Sequence, residues 1–200
     1  MNELAKKRMK ASFKYTWHFY LVSAVVVTIL FNFIFGITHK LPAHQTLTIY
    51  VSGEMVNSKK LNGDLLEKYQ ENELKSVSCI SASPSDGTYY SKLSIPGYNT
   101  ADVLIIPVSR LDNLVVSSFG LDLSDELINS YYPGYALYAQ EGINYGVKID
   151  VEKVKEYMTL PNEDCYMILN GKSQNIGEYA MENAVKEHDT ALQLVKDWGM

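Results

Sequence analysis

Residue types that commonly carry catalysis or bind metals are few and scattered along this sequence. The four histidines are His18, His39, His44 and His188. None of them is spaced from another as metal ligands on one face of a helix are, and no G-x-S-x-G, H-E-x-x-H or phosphate-binding glycine pattern occurs. Pairs of carboxylates such as Glu163-Asp164 lie where acidic residues commonly cap turns and helices. We therefore expect no enzyme activity, no metal and no other cofactor.

Polar residues that suit a small ligand follow three predicted strands. The three loops are Ser52-Gly53-Glu54, Ser83–Asp86 and Pro107–Arg110. In a doubly wound sheet the carboxyl ends of neighbouring parallel strands meet at one edge, and ligands bind in the loops there. The hydroxyl, carboxylate and guanidinium groups of these loops suit a small polar solute such as a sugar or the end of an oligopeptide. The predicted ligand-binding residues are Ser52, Glu54, Ser83, Asp86 and Arg110.

These residue types also have ordinary explanations. Ser, Gly, Pro and Asp are common in turns for conformational reasons. Thirteen of the fifteen tyrosines follow the apolar N-terminal run, including the pair Tyr89-Tyr90. Exposed tyrosine rings stack on sugars or anchor protein partners, but tyrosine is also common in strands and on half-buried surfaces. Both explanations stay open on sequence alone.

The remainder of the chain alternates strand patterns with helix patterns, which predicts an α/β fold. Runs of β-branched residues closed by Gly or Pro indicate strands, and apolar residues at three- and four-residue spacing indicate helices. We expect right-handed crossovers and a mostly parallel sheet in a single three-layer lobe. The predicted strands are Thr46–Ser52, Ser76–Ala82, Ala101–Pro107 and Cys165–Asn170, and the predicted helices are Lys59–Asn72, Tyr89–Ile95, Ser109–Val116, Ser124–Tyr131 and His188–Trp198.

Two further patterns concern strand arrangement. The run Ala101–Pro107 is almost continuously apolar, as in a strand buried on both faces. The segments Tyr135–Gln140 and Ile143–Ile149 flank Glu141-Gly142, which predicts either a hairpin or two strands on separate paths.

The apolar run Tyr15–Ile37 has the length of a helix that crosses a bilayer. Five basic residues precede this run and only His39 and Lys40 follow it closely, so the positive-inside rule predicts a cytoplasmic N-terminus. The alternative is a cleaved signal peptide, with Leu41-Pro42-Ala43 as a poor cleavage site. We expect a single-pass protein of the cell membrane with a basic cytoplasmic tail at 1–14, a signal-anchor helix at 15–37, a linker at 38–45 and an extracytoplasmic domain at 46–200.

The exported part is acidic. Residues 1–38 hold five basic residues and one acidic residue, which leaves 13 basic and 22 acidic residues, a net charge of −9, for the rest. This charge disfavours nucleic acid and anionic lipid as partners. Cys79 and Cys165 could form one disulfide, but a domain of this size needs no covalent link, and we expect two separately buried thiols.

Five segments follow one another in the order LTIYVSG, LLEKYQENE, SVSCISA, GYNTADVLIIP and SRLDNL. This order resembles the first lobe of the extracellular solute-binding proteins of bacterial ABC importers, which have the type II periplasmic-binding-protein fold. The later segments INYGVKID, CYMILN and AVKEHDTALQLVKDWG resemble those with which these receptors return to the first lobe. Between Val151 and Asp164 there is no room for a second lobe. The resemblance therefore implies one membrane-anchored lobe.

Two functions follow from this resemblance. In the first, the domain senses a small polar solute or assists its uptake, with an ABC transporter permease or another membrane protein as partner. In the second, it has lost solute binding and is a tethered interaction module that docks a partner membrane protein. A polar cleft at the strand ends favours the first function, and a flat apolar patch favours the second.

Overall fold

A computed structural model describes residues 3–38, 41–181 and 184–200 and divides the chain into two compact units, Met1–Leu41 and Pro42–Met200. In the first unit, the described residues 3–38 form one helix, α1 (Glu3–Thr38). Its segment Thr16–Gly36 is long and apolar enough to cross a membrane, and a signal sequence near the N-terminus would have the same character. The Thr28 hydroxyl donates to the Ala24 carbonyl at 2.8 Å, so the helix itself satisfies this polar group.

The second unit alternates strands and helices. The strands are β1 (Thr46–Val51), β2 (Glu54–Met55), β3 (Ser76–Ser81), β4 (Val103–Pro107), β5 (Leu137–Gln140), β6 (Ile143–Lys148), β7 (Met158–Thr159) and β8 (Cys165–Leu169). The helices are α2 (Ser58–Lys68), α3 (Tyr89–Lys92), α4 (Tyr98–Thr100), α5 (Val108–Leu111), α6 (Asp125–Tyr131), α7 (Val151–Val154) and α8 (Thr190–Trp198). For each of the three strands predicted before residue 110, both ends agree with those of the observed strand to within two residues.

Six strands form one sheet in the order β3-β1-β4-β8-β6-β5. Strands β3, β1 and β4 are parallel, whereas β8 runs antiparallel to both β4 and β6, and β5 runs antiparallel to β6. Four of the six strands therefore point the same way, which confirms the predicted α/β class with a mixed, mostly parallel sheet. A second, two-stranded sheet pairs β2 with β7.

Helices cover both faces of the large sheet, which gives three layers. Strand β4 shows this arrangement most directly, because Val103 and Ile105 pack into one apolar core while Leu104 and Ile106 pack into the other. All four side chains are fully buried, as predicted for this run. The first core includes residues of α2, α6 and α8, and the second includes residues of α3 and α5.

The segments around Glu141-Gly142 form a hairpin of β5 and β6. Glu141 and Gly142 have φ angles of 54° and 83°. Two adjacent residues with positive φ form the tight turn whose twist matches that of antiparallel strands. This finding decides between the two arrangements that the sequence left open.

The helix predicted at Ser109–Val116 is the clearest local error. The structure has only the single turn α5, followed by a 3-10 turn at Val116–Ser118. The Asn113 side chain donates to the Ser109 carbonyl at 2.8 Å. In a continuing helix, the Asn113 backbone N–H would donate to that carbonyl instead. That backbone N–H bonds the Arg110 carbonyl, so the helix ends.

Cys79 and Cys165 are both free thiols. Cys79 lies on β3 and Cys165 on β8, and two strands separate them in the sheet. Three strand spacings amount to about 14 Å, whereas disulfide geometry needs Cα atoms within about 7 Å. Burial raises the pKa of the Cys79 thiol to about 11 and that of the Cys165 thiol to about 12, so both remain protonated at neutral pH.

Gly53 is required between β1 and β2. A Cβ atom at this position would lie 2.3 Å from the backbone oxygen of Thr159 in β7. Replacing Gly53 with alanine is therefore expected to lower the unfolding free energy by about 1–3 kcal/mol, because backbone must move to admit the methyl group. The midpoint of denaturant unfolding measures this loss.

Gly63 supplies the matched control for that substitution. It lies in α2 with no atom within 4 Å of an added Cβ. Alanine there should leave stability unchanged or raise it by up to about 1 kcal/mol, because Ala favours helix. Equal midpoints for Gly53→Ala and Gly63→Ala would contradict the packing described at Gly53.

Candidate ligand-binding site

The carboxyl ends of β3, β1 and β4 lie at one edge of the sheet, because these three strands are parallel neighbours. The loop after β3 leads into α3, and α5 begins directly after β4. The group formed there by Pro84, Tyr89, Tyr90 and Arg110 is called the arginine–tyrosine site.

Arg110 is the centre of this site. One terminal nitrogen of its guanidinium donates to the Tyr90 hydroxyl at 3.1 Å, and the other donates to the Pro84 carbonyl at 2.8 Å. The guanidinium carbon lies 5.5 Å from the ring centre of Tyr89 and 5.7 Å from that of Tyr90, within cation–π distance of both. These contacts hold the guanidinium in place on a half-buried surface.

The guanidinium keeps most of its binding capacity. Two of its five N–H groups are used, and both acceptors are neutral oxygens. Among the residues that the structure describes, no carboxylate lies within 4.0 Å of Arg110. The remaining N–H groups and the positive charge can therefore meet an oxygen-rich ligand.

Ser52 is fully buried and contacts the Tyr89 hydroxyl. The Ser52 and Tyr89 hydroxyl oxygens are 2.8 Å apart. The Tyr50 ring packs edge-on against Tyr89, with 6.5 Å between ring centres. Burial raises the pKa of Tyr89, while the Ser52 hydrogen bond and the Arg110 charge oppose this rise, so Tyr89 is a neutral phenol at physiological pH. In this structure Ser52 positions Tyr89 and does not face solvent.

The other predicted residues occupy different positions. Ser83 lies next to Pro84, and its hydroxyl is 2.8 Å from the Ser85 hydroxyl. Asp86 accepts from the Thr88 backbone N–H at 2.9 Å and lies 3.6 Å from the Lys92 ammonium. Glu54 is exposed on β2, and among the described residues its carboxylate has no hydrogen-bond or ion-pair partner.

The structure thus brings Ser52, the Ser83 loop and Arg110 together through Tyr89 and Pro84. Asp86 adjoins this group but is engaged with its own turn, where the Thr88 backbone N–H holds the pKa of its carboxyl below the usual value. No contact joins Glu54 to the group among the described residues. Ligand binding by these five residues remains a prediction.

A second polar cluster, which the sequence did not single out, lies at the amino end of β4. Asp102 is 7% exposed and accepts from the Thr48 backbone N–H at 2.7 Å and from the Ser173 hydroxyl at 2.5 Å. Burial raises the pKa of Asp102 to about 6, while these hydrogen bonds oppose the rise. Because each carboxylate oxygen already has a donor, we assign this cluster a structural role. It ties the loop after β8 to β1.

Two histidines that are far apart in sequence stack in the folded domain. The rings of His44 and His188 are 3.9 Å apart and nearly parallel, at 3°. Burial lowers the pKa of His44, and the neighbouring His188 and Lys75 lower it further. The Glu73 carboxylate favours the protonated ring and partly opposes this decrease. Among the described residues, no group of three His, Cys, Asp or Glu side chains could hold a metal ion.

No family model and no curated protein matches this chain. Among solved structures, the maltose/maltodextrin-binding domain MalE from Bdellovibrio bacteriovorus bound to maltotriose is similar over 52% of this chain and 28% of that chain, with 13% sequence identity and a TM-score of 0.36. A similarity at this level does not establish a shared fold.

Proposed function

We propose that this protein is a membrane-tethered domain that binds a small polar solute outside the cytoplasm, with Arg110 as the principal contact. One observation carries the proposal. A half-buried guanidinium is held at the carboxyl edge of three parallel strands by two aromatic rings and a carbonyl, without a carboxylate partner among the described residues. A fixed, unneutralised guanidinium in an acidic domain is suited to a ligand that brings its own oxygen acceptors.

The site suits binding rather than catalysis. Its hydroxyl groups belong to tyrosines and serines, and no histidine or paired carboxylate lies among the contacts of Arg110 within the described part of the chain. Tyrosine rings and an arginine fork recognise sugars, carboxylates and peptide ends by stacking and hydrogen bonding. The proposed solute is therefore a sugar, an amino acid or the end of a short peptide.

We expect weak affinity for such a solute. A single open lobe covers only one side of a ligand, whereas tight sites enclose most of the ligand surface. A dissociation constant on the order of 0.1–1 mM is expected for a sugar-sized molecule. An importer permease or another membrane protein that supplied the missing wall would tighten binding, and ligand-observed NMR on the full-length protein would detect the weak complex.

The membrane orientation is the second part of the proposal. Because Lys6, Lys7, Arg8, Lys10 and Lys14 precede the apolar helix, residues before Tyr15 should be cytoplasmic and residues after Lys40 should be outside. Protease added to intact cells stripped of their wall should remove the domain and leave the N-terminal tail protected. A domain that resists protease in intact cells and is digested only after detergent has opened the membrane would show the opposite orientation.

A tethered interaction module is the second candidate. Ile95 and Val115 are 69% and 70% exposed on segments next to α3 and α5. Contact with a partner protein requires a contiguous apolar patch of several hundred square ångströms, and this candidate needs these two side chains to be part of one. Cross-linking from residue 95 to a membrane protein, together with no solute binding at millimolar concentration, would favour this candidate.

A further inference from the structure

We infer a second ligand site, which takes a neutral polyhydroxylated molecule such as a monosaccharide, in the cleft between α2, α7 and α8. The cleft has a volume of about 310 Å³ and includes Asp64, Lys68, Lys153 and Asp197 in its walls. It is distinct from the arginine–tyrosine site, because Leu65 and Trp198 of its lining pack into the core on one face of the sheet, whereas Tyr89 packs into the core on the other.

Two carboxylates in the cleft each keep one free oxygen. One oxygen of Asp64 accepts from the Tyr157 hydroxyl at 2.7 Å. One oxygen of Asp197 accepts from the Tyr69 hydroxyl and also lies 2.8 Å from the Lys68 ammonium. The second oxygen of each carboxylate has no hydrogen-bond partner among the described residues. Both carboxylates are therefore oriented by protein contacts and can still accept from a ligand.

Two ammonium groups in the cleft complement these carboxylates. Lys153 donates to the Gly199 backbone carbonyl at 2.8 Å, which anchors its side chain at the end of α8. Lys68 is held by Asp197. Each ammonium has three N–H groups, so each has donors left for a ligand.

The balance of charge selects the class of ligand. Two carboxylates and two ammonium groups give a cleft of zero net charge. The carboxylates repel an anionic ligand and the ammonium groups repel a cationic one, so neither is favoured. A sugar hydroxyl both donates and accepts, so adjacent hydroxyls can bond a carboxylate and an ammonium at once. The volume lies at the lower end of the range for ligand sites, which fits a small sugar.

The floor of the cleft adds an apolar surface. Leu65 and Trp198 are nearly buried, and the Tyr157 ring forms part of the wall. Aromatic and aliphatic surface beside fixed polar groups is the usual composition of a small-molecule site. The partly exposed Tyr157 ring is the apolar surface that a sugar can contact while its hydroxyls reach the charged groups.

Trp198 makes the inference testable in the intact protein. The chain has two tryptophans, so Trp17→Phe leaves Trp198 as the sole indole. Full-length protein with this substitution, in detergent micelles, is titrated with glucose and with maltose while Trp198 fluorescence is recorded. A saturable change is expected, with a dissociation constant on the order of 1 mM. No change with either sugar up to about 50 mM would overturn the site.

Variants separate this cleft from the arginine–tyrosine site. Asp64→Asn should weaken sugar binding about tenfold, because a hydrogen bond to a charged group is lost, and Lys153→Gln should weaken it as well. Glu67→Gln makes the same charge change as Asp64→Asn on an exposed part of α2 and should have no effect. Circular dichroism checks that each variant is folded, and equal affinities for Asp64→Asn, Lys153→Gln and Glu67→Gln would overturn the site.

Two further measurements give independent outcomes. Arg110→Ala should leave the Trp198 response unchanged, and loss of the response in that variant would overturn a separate site. Citrate and glycine are titrated as anionic and zwitterionic probes. Competition by either of them at the concentrations that glucose needs would overturn the assignment to neutral polyols.

Discussion

Replacing Asp102 with asparagine removes the pH dependence that this residue gives to folding stability between about pH 4 and pH 7. In the folded protein, burial raises the pKa of Asp102 to about 6, from 3.8. Between these values the folded state binds more protons than the unfolded state, so the unfolding free energy falls as pH rises. Two pKa units correspond to roughly 3 kcal/mol, all of it lost by neutral pH.

Asparagine keeps the shape and an acceptor for the Thr48 N–H, and its amide can donate to the Ser173 hydroxyl. The unfolding free energy, measured with denaturant at several pH values, should therefore fall less from about pH 4 to pH 7 in Asp102→Asn than in the wild type. Asp122→Asn, at an exposed aspartate, is the control and should follow the wild type. The lowered pKa of His44 acts in the opposite direction, with stability lost as pH falls below about 6.5, and is common to all three proteins. Parallel profiles for all three would contradict the account of Asp102.

Replacing Arg110 with alanine weakens solute binding at least about tenfold and costs only about 1–2 kcal/mol of unfolding free energy. The binding loss is large because the variant removes the only charged group of the arginine–tyrosine site. The stability loss is small because the lost contacts are a half-exposed stack on two tyrosine rings and two hydrogen bonds to neutral oxygens. Titration of the Tyr90 backbone N–H signal measures binding at the arginine–tyrosine site, and thermal unfolding measures the stability.

Two other substitutions identify what Arg110 contributes. Arg110→Lys keeps the charge but loses the planar fork, so binding should lie between wild type and Arg110→Ala. Lys92→Ala removes a neighbouring exposed cation that pairs with Asp86 and should bind solute as the wild type does. If Lys92→Ala weakens binding as much as Arg110→Ala, the solute is attracted by general positive charge and the arginine–tyrosine site is not its contact.

The strands could be predicted because their signal is local. The β-branched run at Thr46 and the apolar run at Val103 lie in strands that are buried as the patterns indicate. The direction of β8 could not be predicted, since the pattern CYMIL is the same in a parallel or an antiparallel strand. The Arg110 helix was predicted too long because the competing Asn113 side-chain bond has no periodic signature.

The sequence could predict the edge of the sheet at which the candidate site lies, but not all of the residues that form it. Strand ends located the loops, and β1, β3 and β4 bring them to one edge. The contact between Arg110 and Tyr90 joins residues 20 apart, and the Ser173 contact to Asp102 joins residues 71 apart. Only tertiary packing creates such pairs, so the sequence left the role of the tyrosine pair open and did not identify Asp102. It also placed the Ser52 hydroxyl in an open loop, whereas Ser52 is fully buried.

The most direct test of the proposed function is nuclear magnetic resonance mapping on the fragment Pro42–Met200, which is a compact unit. Sugars, amino acids and short peptides are titrated while the Arg110 side-chain N–H and the Tyr90 backbone N–H are followed. Solute binding at the arginine–tyrosine site predicts saturable shifts of these two signals with at least one solute, at a dissociation constant on the order of 0.1–1 mM. A folded fragment whose Arg110 and Tyr90 signals stay unchanged with every solute up to about 10 mM would contradict it.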